Sequence, residues 1–193
     1  MNTPTINTTR LILRKFEEND LEALYEIFSD QEVNRFLPWF PLKNLDEAKS
    51  FYQERYASIY QNKQGYAYAI CLKENNNPIG YVNIDLDESH DLGYGLKKEY
   101  WHQGIVSEAV KAVIKQAQKE GLHYLTATHD IKNIHSGNVM KKVGMHYCYS
   151  YKEQWMSKDI PVIFRMYQIN LDGKKRIYQK YWNQYEHFIE ENL

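Results

Sequence analysis

The stretch from Asp91 to Gly121 constrains the fold of this chain more than any other. It predicts a strand over Leu92–Leu96, a turn around Gly104 and a helix that ends at Gly121. Apolar residues recur in the helix at three- and four-residue spacings, and polar side chains occupy its other side. The free N–H groups and the positive dipole end of such a helix can hold a phosphate. Most units of this kind bind nothing, so a plain strand–helix connection and a phosphate-binding turn both stay open.

The two best-known phosphate motifs do not explain this turn. No GxxxxGK followed by Ser or Thr occurs in the chain. Gly93 and Gly95 begin a GxG, but Lys98 stands where the third glycine of a dinucleotide-binding motif belongs.

The order of the other elements predicts one α/β domain over residues 1–171. The remaining strands are expected at Thr9–Arg14, Tyr66–Leu72, Ile79–Leu86, Tyr124–His129, Met145–Trp155 and Ile160–Ile169, and the remaining helices at Leu21–Phe28, Asp46–Tyr60 and Ile134–Val143. The crossover through the central helix should make Leu92–Leu96 and Tyr124–His129 a parallel pair. We therefore expect a mixed, mostly antiparallel sheet with a central parallel strand pair, flanked by helices.

Residues 172–193 predict a C-terminal amphipathic helix that extends the same domain. Its apolar side chains recur at helical spacings: Ile177, Tyr178, Tyr181, Trp182, Tyr185, Phe188 and Ile189. So aromatic a face should be covered, either by its own domain or by a second subunit in a homodimer. A membrane anchor is disfavoured because the acidic end HFIEENL would be repelled by anionic lipid.

Composition excludes several classes of function. A net charge of −1 over 193 residues gives no electrostatic basis for binding nucleic acid. The chain has no apolar run of membrane-spanning length and no signal-peptide core, and its two cysteines form no metal or redox spacing. None of the seven histidines has a metal-ligand spacing, so we expect no metal. These features favour a soluble cytoplasmic protein without a membrane partner.

Three stretches of the sequence resemble the GNAT N-acetyltransferases, particularly the ribosomal-protein N-terminal acetyltransferases. DLGYGLKKEYWHQGIVSEA is similar to the family's ELGYWL–x–x–EYWGKGYATEA, and TRLILRKFEEND is similar to its opening TxRLxLRxFxxxD. Asn133–Ser136 resembles an NxxS element, and Lys142–Met145 resembles the KxGM that follows it. The resemblance covers residues 8–170, with Asp91, His102 and Val106 departing from the family's residues.

The resemblance implies a GNAT-like fold that uses acetyl-CoA as co-substrate. It places the pyrophosphate on the backbone of the loop residues His102, Gln103, Gly104, Ile105, Val106 and Ser107. It further implies that the Asn133 amide contacts the pantetheine arm and that Ser136 lies beside the sulfur. A backbone N–H near Leu96 would polarise the thioester carbonyl.

Asp91 is the first candidate for the base that deprotonates the amine. It occupies the position of the glutamate that resembles the family's proton acceptor, although it could equally be a solvated loop carboxylate. His90 is the second candidate, because a histidine titrates near neutral pH. Asp85 and His129 are further candidates.

The acceptor amine is the least constrained part of the prediction. The aromatic loop at residues 35–41, with Trp39 and Phe40, would either cover the core or line the acceptor site. An α-amine has a pKa near 8 against about 10.4 for lysine, which favours a peptide N-terminus. We expect an acetyl-CoA-dependent N-acetyltransferase in which the amine attacks the thioester directly. A small-molecule amine or antibiotic acetyltransferase and a non-catalytic acyl-CoA-binding module are the alternatives.

Overall fold

The strands form two antiparallel sheets in a computed structural model that describes residues 3–63, 65–156, 158–191 and 193. The first sheet contains, in spatial order, β1 (Ile6–Asn7), β2 (Leu11–Arg14), β3 (Gly65–Leu72), β4 (Pro78–Asp85) and β5 (Leu92–Leu96). The second contains, in spatial order, β6 (Tyr124–Asp130), β8 (Ile160–Asn170), β7 (His146–Trp155) and β9 (His187–Phe188). The predicted α/β class is therefore confirmed.

Helices connect and cover these sheets. They are α1 (Leu21–Ser29), α2 (Leu45–Tyr52), α3 (Ser58–Asn62), α4 (Ile105–Lys119), α5 (Ile134–Lys142) and α6 (Lys180–Gln184). A π-helical turn over Gln53–Ala57 joins α2 to α3, so the single predicted helix over this region is interrupted. Asn44 begins α2 by accepting a hydrogen bond from the Glu47 N–H at 2.9 Å. No helix in the described ranges is long and apolar enough to cross a membrane.

Helix α4 ties the two sheets into one core. Its buried face is the predicted one, made by Ile105, Ala109, Val110, Val113, Ile114 and Ala117. These side chains belong to a cluster that also holds Leu11 and Ile70 from the first sheet and Leu125 from the second. A smaller core lies where α1 and α2 pack against β3 and β4. The amphipathic pattern of α4 therefore sets the position of the loop before it.

The predicted parallel strand pair consists of a single bridge. In the described chain, one parallel bridge joins Asp91, next to β5, to Thr126 of β6, and the Thr126 N–H donates to the His90 carbonyl at 3.3 Å. The two strands are therefore parallel neighbours, as predicted, but their pairing stops at this bridge, and each strand forms its ladder on its other edge. β4 pairs with β5 from Leu92 to Leu96, and β8 pairs with β6 along its length. The two strands therefore diverge after the bridge and leave a gap between them.

The C-terminal tail is not the single helix that its periodicity predicts. Only Lys180–Gln184 are helical, and His187–Phe188 form an edge strand on β7. A long helix does not form because strand pairing and packing on β7 and β8 cover the aromatic side chains of the tail, while Tyr, Trp and Asn are weak helix formers. Ile177 and Ile189 stay exposed. The tail docks on its own domain, which is the first of the two arrangements expected for it.

Candidate active site

The gap between β5 and β6 exposes backbone donors. The Lys97 N–H donates to the Ile79 carbonyl at 2.8 Å, and the Asp91 carbonyl accepts from the Asp85 N–H at 3.1 Å. Hydrogen bonding alternates along an antiparallel strand, so the N–H groups of Tyr94 and Leu96 point away from β4 and toward the gap. This is where the resemblance places the donor to the thioester carbonyl.

Asp91 lies where the two strands meet. Its carboxylate is half-buried, and Oδ1 is 3.3 Å from Thr126 Oγ1, which donates to the Ser89 carbonyl at 2.9 Å. Enclosure by protein, followed by the negative charge of Asp85, raises the pKa of Asp91 to about 7. A carboxylate with this pKa can exchange protons at neutral pH.

The other three base candidates occupy different surroundings. His90 has a left-handed backbone (φ +46°), its ring lies 5.3 Å from the Tyr124 ring, and its buried Nδ1 has no hydrogen-bond partner among the described residues. Asp85 is exposed at the end of β4. His129 packs under α5, with Nε2 2.6 Å from the point where a Cβ on Gly137 would stand, and burial lowers its pKa.

Ser136 is held in the first turn of α5 by two groups. Asn133 begins this helix, and its Oδ1 accepts from the Ser136 N–H at 3.3 Å. The cap uses the amide oxygen, which leaves the amide NH₂ available for another partner. The Tyr94 hydroxyl, on β5, donates to the Ser136 carbonyl at 2.8 Å and lies 3.1 Å from Ser136 Oγ. Tyr94 was missed in the sequence because only the fold brings residues 94 and 136 together.

The loop before α4 has the backbone that an anion site requires. His102 and Gly104 both have positive φ angles, +59° and +74°. Within the described chain, no backbone carbonyl accepts from the N–H groups of His102, Gln103 or Gly104. The predicted donors of the loop are thus unpaired. The first turn of α4, which begins at Ile105 and includes Val106 and Ser107, adds the free N–H groups of a helix start.

Two cationic side chains flank this loop. Arg10 Nη2 and Lys142 Nζ lie 3.8 Å and 4.0 Å from the point where a Cβ on Gly104 would stand. Glu108 orients the Arg10 guanidinium at 2.7 Å, and Arg10 Nη1 donates to the Gln103 carbonyl at 3.0 Å. Sequence reasoning did not assign either cation, since each is far from Gly104 along the chain. The loop thus combines unpaired donors with positive charge.

The aromatic loop separates its two candidate residues. Trp39 packs against Phe28 and Phe51, at ring distances of 5.8 Å and 5.6 Å, and so contributes to the smaller core. Phe40 is 66% exposed. The Lys158 ammonium, on the β7–β8 hairpin, donates to the Asn34 carbonyl just before this loop and to the Arg35 carbonyl within it, at 3.2 Å each. The hairpin and the aromatic loop therefore meet on one side of the molecule.

In the part of the chain that the structure describes, no group of three His, Cys, Asp or Glu side chains could hold a metal ion. Cys71 and Cys148 are both free thiols. The polar groups at the gap are those of Asp91, Ser136, Tyr94 and the loop before α4.

Comparison with known proteins identifies the family. The acetyltransferase (GNAT) domain matches residues 10–146. An uncharacterized N-acetyltransferase of Bacillus subtilis, YnaD, is 31% identical over 162 residues, which cover 81% of this chain and 88% of that protein. The ribosomal protein uS5-alanine N-acetyltransferase of Escherichia coli is 27% identical over 152 residues, 72% of this chain and 76% of that protein.

A solved structure shares the fold. The ribosomal L7/L12 alpha-N-protein acetyltransferase RimL, in complex with coenzyme A, superposes with a TM-score of 0.76 at 19% identity and covers 89% of this chain and 100% of that one. The two splayed sheets, the loop before α4 and the matched sequence lead to one conclusion: this chain belongs to the GNAT acetyltransferase family and is an N-acetyltransferase.

Proposed function

We propose that this protein transfers the acetyl group of acetyl-CoA to a primary amine, and that a protein N-terminal α-amine is the acceptor. The observation that carries the proposal is the arrangement of the gap, with Asp91 where β5 and β6 meet and the unpaired loop donors at the start of α4. The similarity to ribosomal-protein N-acetyltransferases supports the choice of a peptide amine.

The loop fits the phosphates of coenzyme A. The N–H groups from His102 to Ser107 would hold the pyrophosphate, and Arg10 and Lys142 would supply the positive charge beside it. The Asn133 amide NH₂ would contact the pantetheine arm. When bound, acetyl-CoA supplies the acetyl group as an activated thioester.

Asp91 would accept the proton that the ammonium must lose before its nitrogen can react. A pKa of about 7 leaves a useful fraction of this carboxylate ionised at neutral pH. An α-ammonium with a pKa near 8 gives up its proton to such a group more easily than a lysine does. The half-buried carboxylate would receive the proton directly or through one water.

Leu96 and Ser136 would stabilise charge on the two sides of the reacting group. The Leu96 N–H, directed into the gap, would donate to the carbonyl oxygen. The Ser136 hydroxyl would donate to the departing sulfur, and the Tyr94 hydroxyl holds Ser136 in place for this task. A thiol with a pKa of about 8.5 leaves readily, so Ser136 assists without being essential.

Two measurements on one preparation test this function. Titration calorimetry measures acetyl-CoA binding, and release of the free thiol is followed with peptides that begin with a free α-amine and with small amines. We expect binding together with peptide-dependent thiol release. Ser136→Ala should lower kcat with little change in acetyl-CoA affinity. Binding without thiol release from any amine would instead identify a non-catalytic acyl-CoA-binding module, and faster release with small amines would reject the peptide acceptor.

A further inference from the structure

The C-terminal tail, residues 172–191, packs beside the loop that carries Asp91. The guanidinium of Arg176 lies 5.8 Å from the centre of the Tyr124 ring, and the Tyr124 hydroxyl donates to the Glu88 carbonyl. Strands β7 and β8 fix the path of the tail. The Tyr178 N–H donates to Gln168 Oε1 at 2.8 Å, and the Tyr149 hydroxyl donates to the Tyr178 carbonyl at 2.7 Å. The tail is thus an ordered part of this side of the protein.

Three tyrosine rings stack where the tail crosses β7. The Tyr151 ring stacks with the rings of both Tyr181 and Tyr185, with centroid distances of 5.0 Å and 5.2 Å and 18° between the planes in both pairs. Tyr151 is 3% exposed, whereas the two tail tyrosines are half-buried. The stack therefore presents aromatic surface from the tail to the solvent side.

This tyrosine stack lies within the electrostatic range of Asp91. Burial and the charges of nearby groups, Asp91 among them, raise the pKa values of Tyr151 and Tyr181, and a hydrogen bond with Ser89 opposes this shift at Tyr181. Ser89 is also the residue whose carbonyl holds the Thr126 hydroxyl beside Asp91. The tail and the proposed base therefore share the same short segment of loop.

Negative charges outnumber positive charges around the tyrosine stack. Among the described residues, four carboxylates on this side form no ion pair: Asp85, Asp87, Glu88 and Glu153. Three nearby cations are neutralised by the tail's own contacts, as Lys152–Glu186, Arg165–Glu190 and Arg176–Asp172. Three further cations lie near these carboxylates: Lys180 lines a groove with Glu88, Lys132 lines one with Glu153, and Arg55 opposes the rise in the pKa of Asp85. The net local charge is negative.

We propose that the tail forms one wall of the acceptor site and that this wall selects a peptide with a second positive charge close to its α-amine. The inference rests on the proposed function, because it takes Asp91 as the point at which the amine is deprotonated. The faces of Tyr181 and Tyr185 would attract the cation through their ring electrons, and Asp87 and Glu153 would attract it by charge. The match to the family model ends at residue 146, so the tail lies outside the matched region.

Two short peptides with the same N-terminal alanine test the wall, one with lysine and one with glutamate as the second residue. The lysine peptide should have a kcat/KM higher by about tenfold. Tyr181→Ala and the double variant Asp87→Asn with Glu153→Gln should each reduce this ratio to about twofold or less. Tyr181→Phe, which keeps the ring, should preserve it. Glu120→Gln removes one exposed carboxylate at the far end of α4 and is the control for loss of a single surface charge.

A readout other than turnover separates this inference from the proposed function. Titration calorimetry of both peptides with the protein saturated with coenzyme A should show tighter binding of the lysine peptide. If the two peptides bound equally and had equal kcat/KM values, in the wild type and in the variants, the tail would not select the acceptor. The proposed acetyltransferase function would be unaffected by that result. If no amine releases thiol, the proposed function fails, and the calorimetric preference alone then decides the role of the tail. In the double variant, Asp87 is exposed and Glu153 is half-buried, and neither belongs to a core cluster, so loss of folding in Tyr181→Ala does not block the test.

Discussion

Asp91 carries a pKa of about 7 because the protein encloses its carboxylate and Asp85 adds a second negative charge nearby. If it is the base, kcat/KM should fall as the pH drops below about 7. Asp91→Asn should lower the rate most strongly and remove this dependence. Asp85→Asn should shift this fall in kcat/KM to lower pH, because it removes the negative charge that helps to raise the pKa of Asp91. Profiles of kcat/KM from pH 5 to pH 9 for the three proteins measure this, and a limb retained in Asp91→Asn would contradict the assignment.

The same pKa has a consequence for stability. In the unfolded chain this carboxyl titrates near 3.8, so between pH 4 and pH 7 the folded protein holds a proton that the unfolded chain has lost. Raising the pH through this window therefore lowers the free energy of unfolding, by up to about 4 kcal/mol. Asp91→Asn should be more stable than the wild type at pH 8 and equal to it near pH 4. Urea unfolding at both pH values tests the sign.

The Tyr94 hydroxyl contacts Ser136, the proposed donor to the departing sulfur, and would position it. Tyr94→Phe removes the hydroxyl that holds Ser136 but keeps the ring, so kcat should fall about fivefold while KM for acetyl-CoA stays unchanged. If Tyr94 acts only by holding the Ser136 hydroxyl, the double variant Tyr94→Phe with Ser136→Ala should have the same kcat as Ser136→Ala alone. Additive losses in kcat would show that Tyr94 acts independently of Ser136.

At the scale of elements, the loop before α4 is set by its backbone. Gly104 has a φ of +74°, and no protein atom lies closer than 3.8 Å to an added Cβ. Gly104→Ala should therefore destabilise by about 1 kcal/mol through strain alone, without a clash inside the protein. It should also weaken acetyl-CoA binding, because the methyl group occupies the space beside the donors. A bulky residue at position 104 should weaken it well beyond twofold.

Gly121 supplies the matched control for this loop. Its φ is +85°, and no atom lies within 4 Å of an added Cβ. Gly121→Ala should produce a similar loss of stability and leave the acetyl-CoA dissociation constant unchanged. Thermal melting and titration calorimetry of both variants distinguish backbone strain from a role in binding. If the two variants changed the affinity for acetyl-CoA equally, the loop at Gly104 would not be part of the binding site.

Sequence patterns predicted correctly those features that depend on residues close together in the chain. The buried face of α4 and the turn at Gly104 follow from residue spacing and from backbone freedom at glycine, and both appear as expected. The tail pattern of aromatic residues misled because an edge strand and a short helix bury the same side chains on β7 and β8. The spacing of apolar residues shows which side chains should be buried, but the secondary structure also depends on the surface against which they pack.

Long-range contacts were beyond the reach of these patterns. Arg10 and Lys142 flank Gly104 from distant parts of the chain, and Tyr94 reaches Ser136 across the gap. His102 has a left-handed backbone, a conformation that glycine adopts without strain, at the position where the sequence departs from the family's glycine. Resemblance to a family located the loop, but only the fold assembled the charges and hydroxyl groups around it.

At the scale of the whole molecule, two sheets are linked by one bridge between β5 and β6 and by the shared core around α4. The proposed coenzyme site draws on both halves. Arg10 precedes β2 of the first sheet, whereas Lys142 ends α5, which follows β6 of the second sheet. A ligand held by both groups should bind only the folded chain and so stabilise the molecule as a unit.

Acetyl-CoA at one hundred times its dissociation constant should add about 2.7 kcal/mol to the free energy of unfolding. For a chain of this size, that corresponds to an increase in melting temperature of about 5–10 °C in a single transition. Lys142→Met should reduce the increase at a fixed acetyl-CoA concentration, because it removes a cation beside the phosphates. Lys111→Met, on the exposed side of α4, is the matched loss of charge and should leave the increase intact. Equal increases in both variants would mean that Lys142 does not contact the ligand, and no increase in the wild type would mean that the gap does not hold acetyl-CoA.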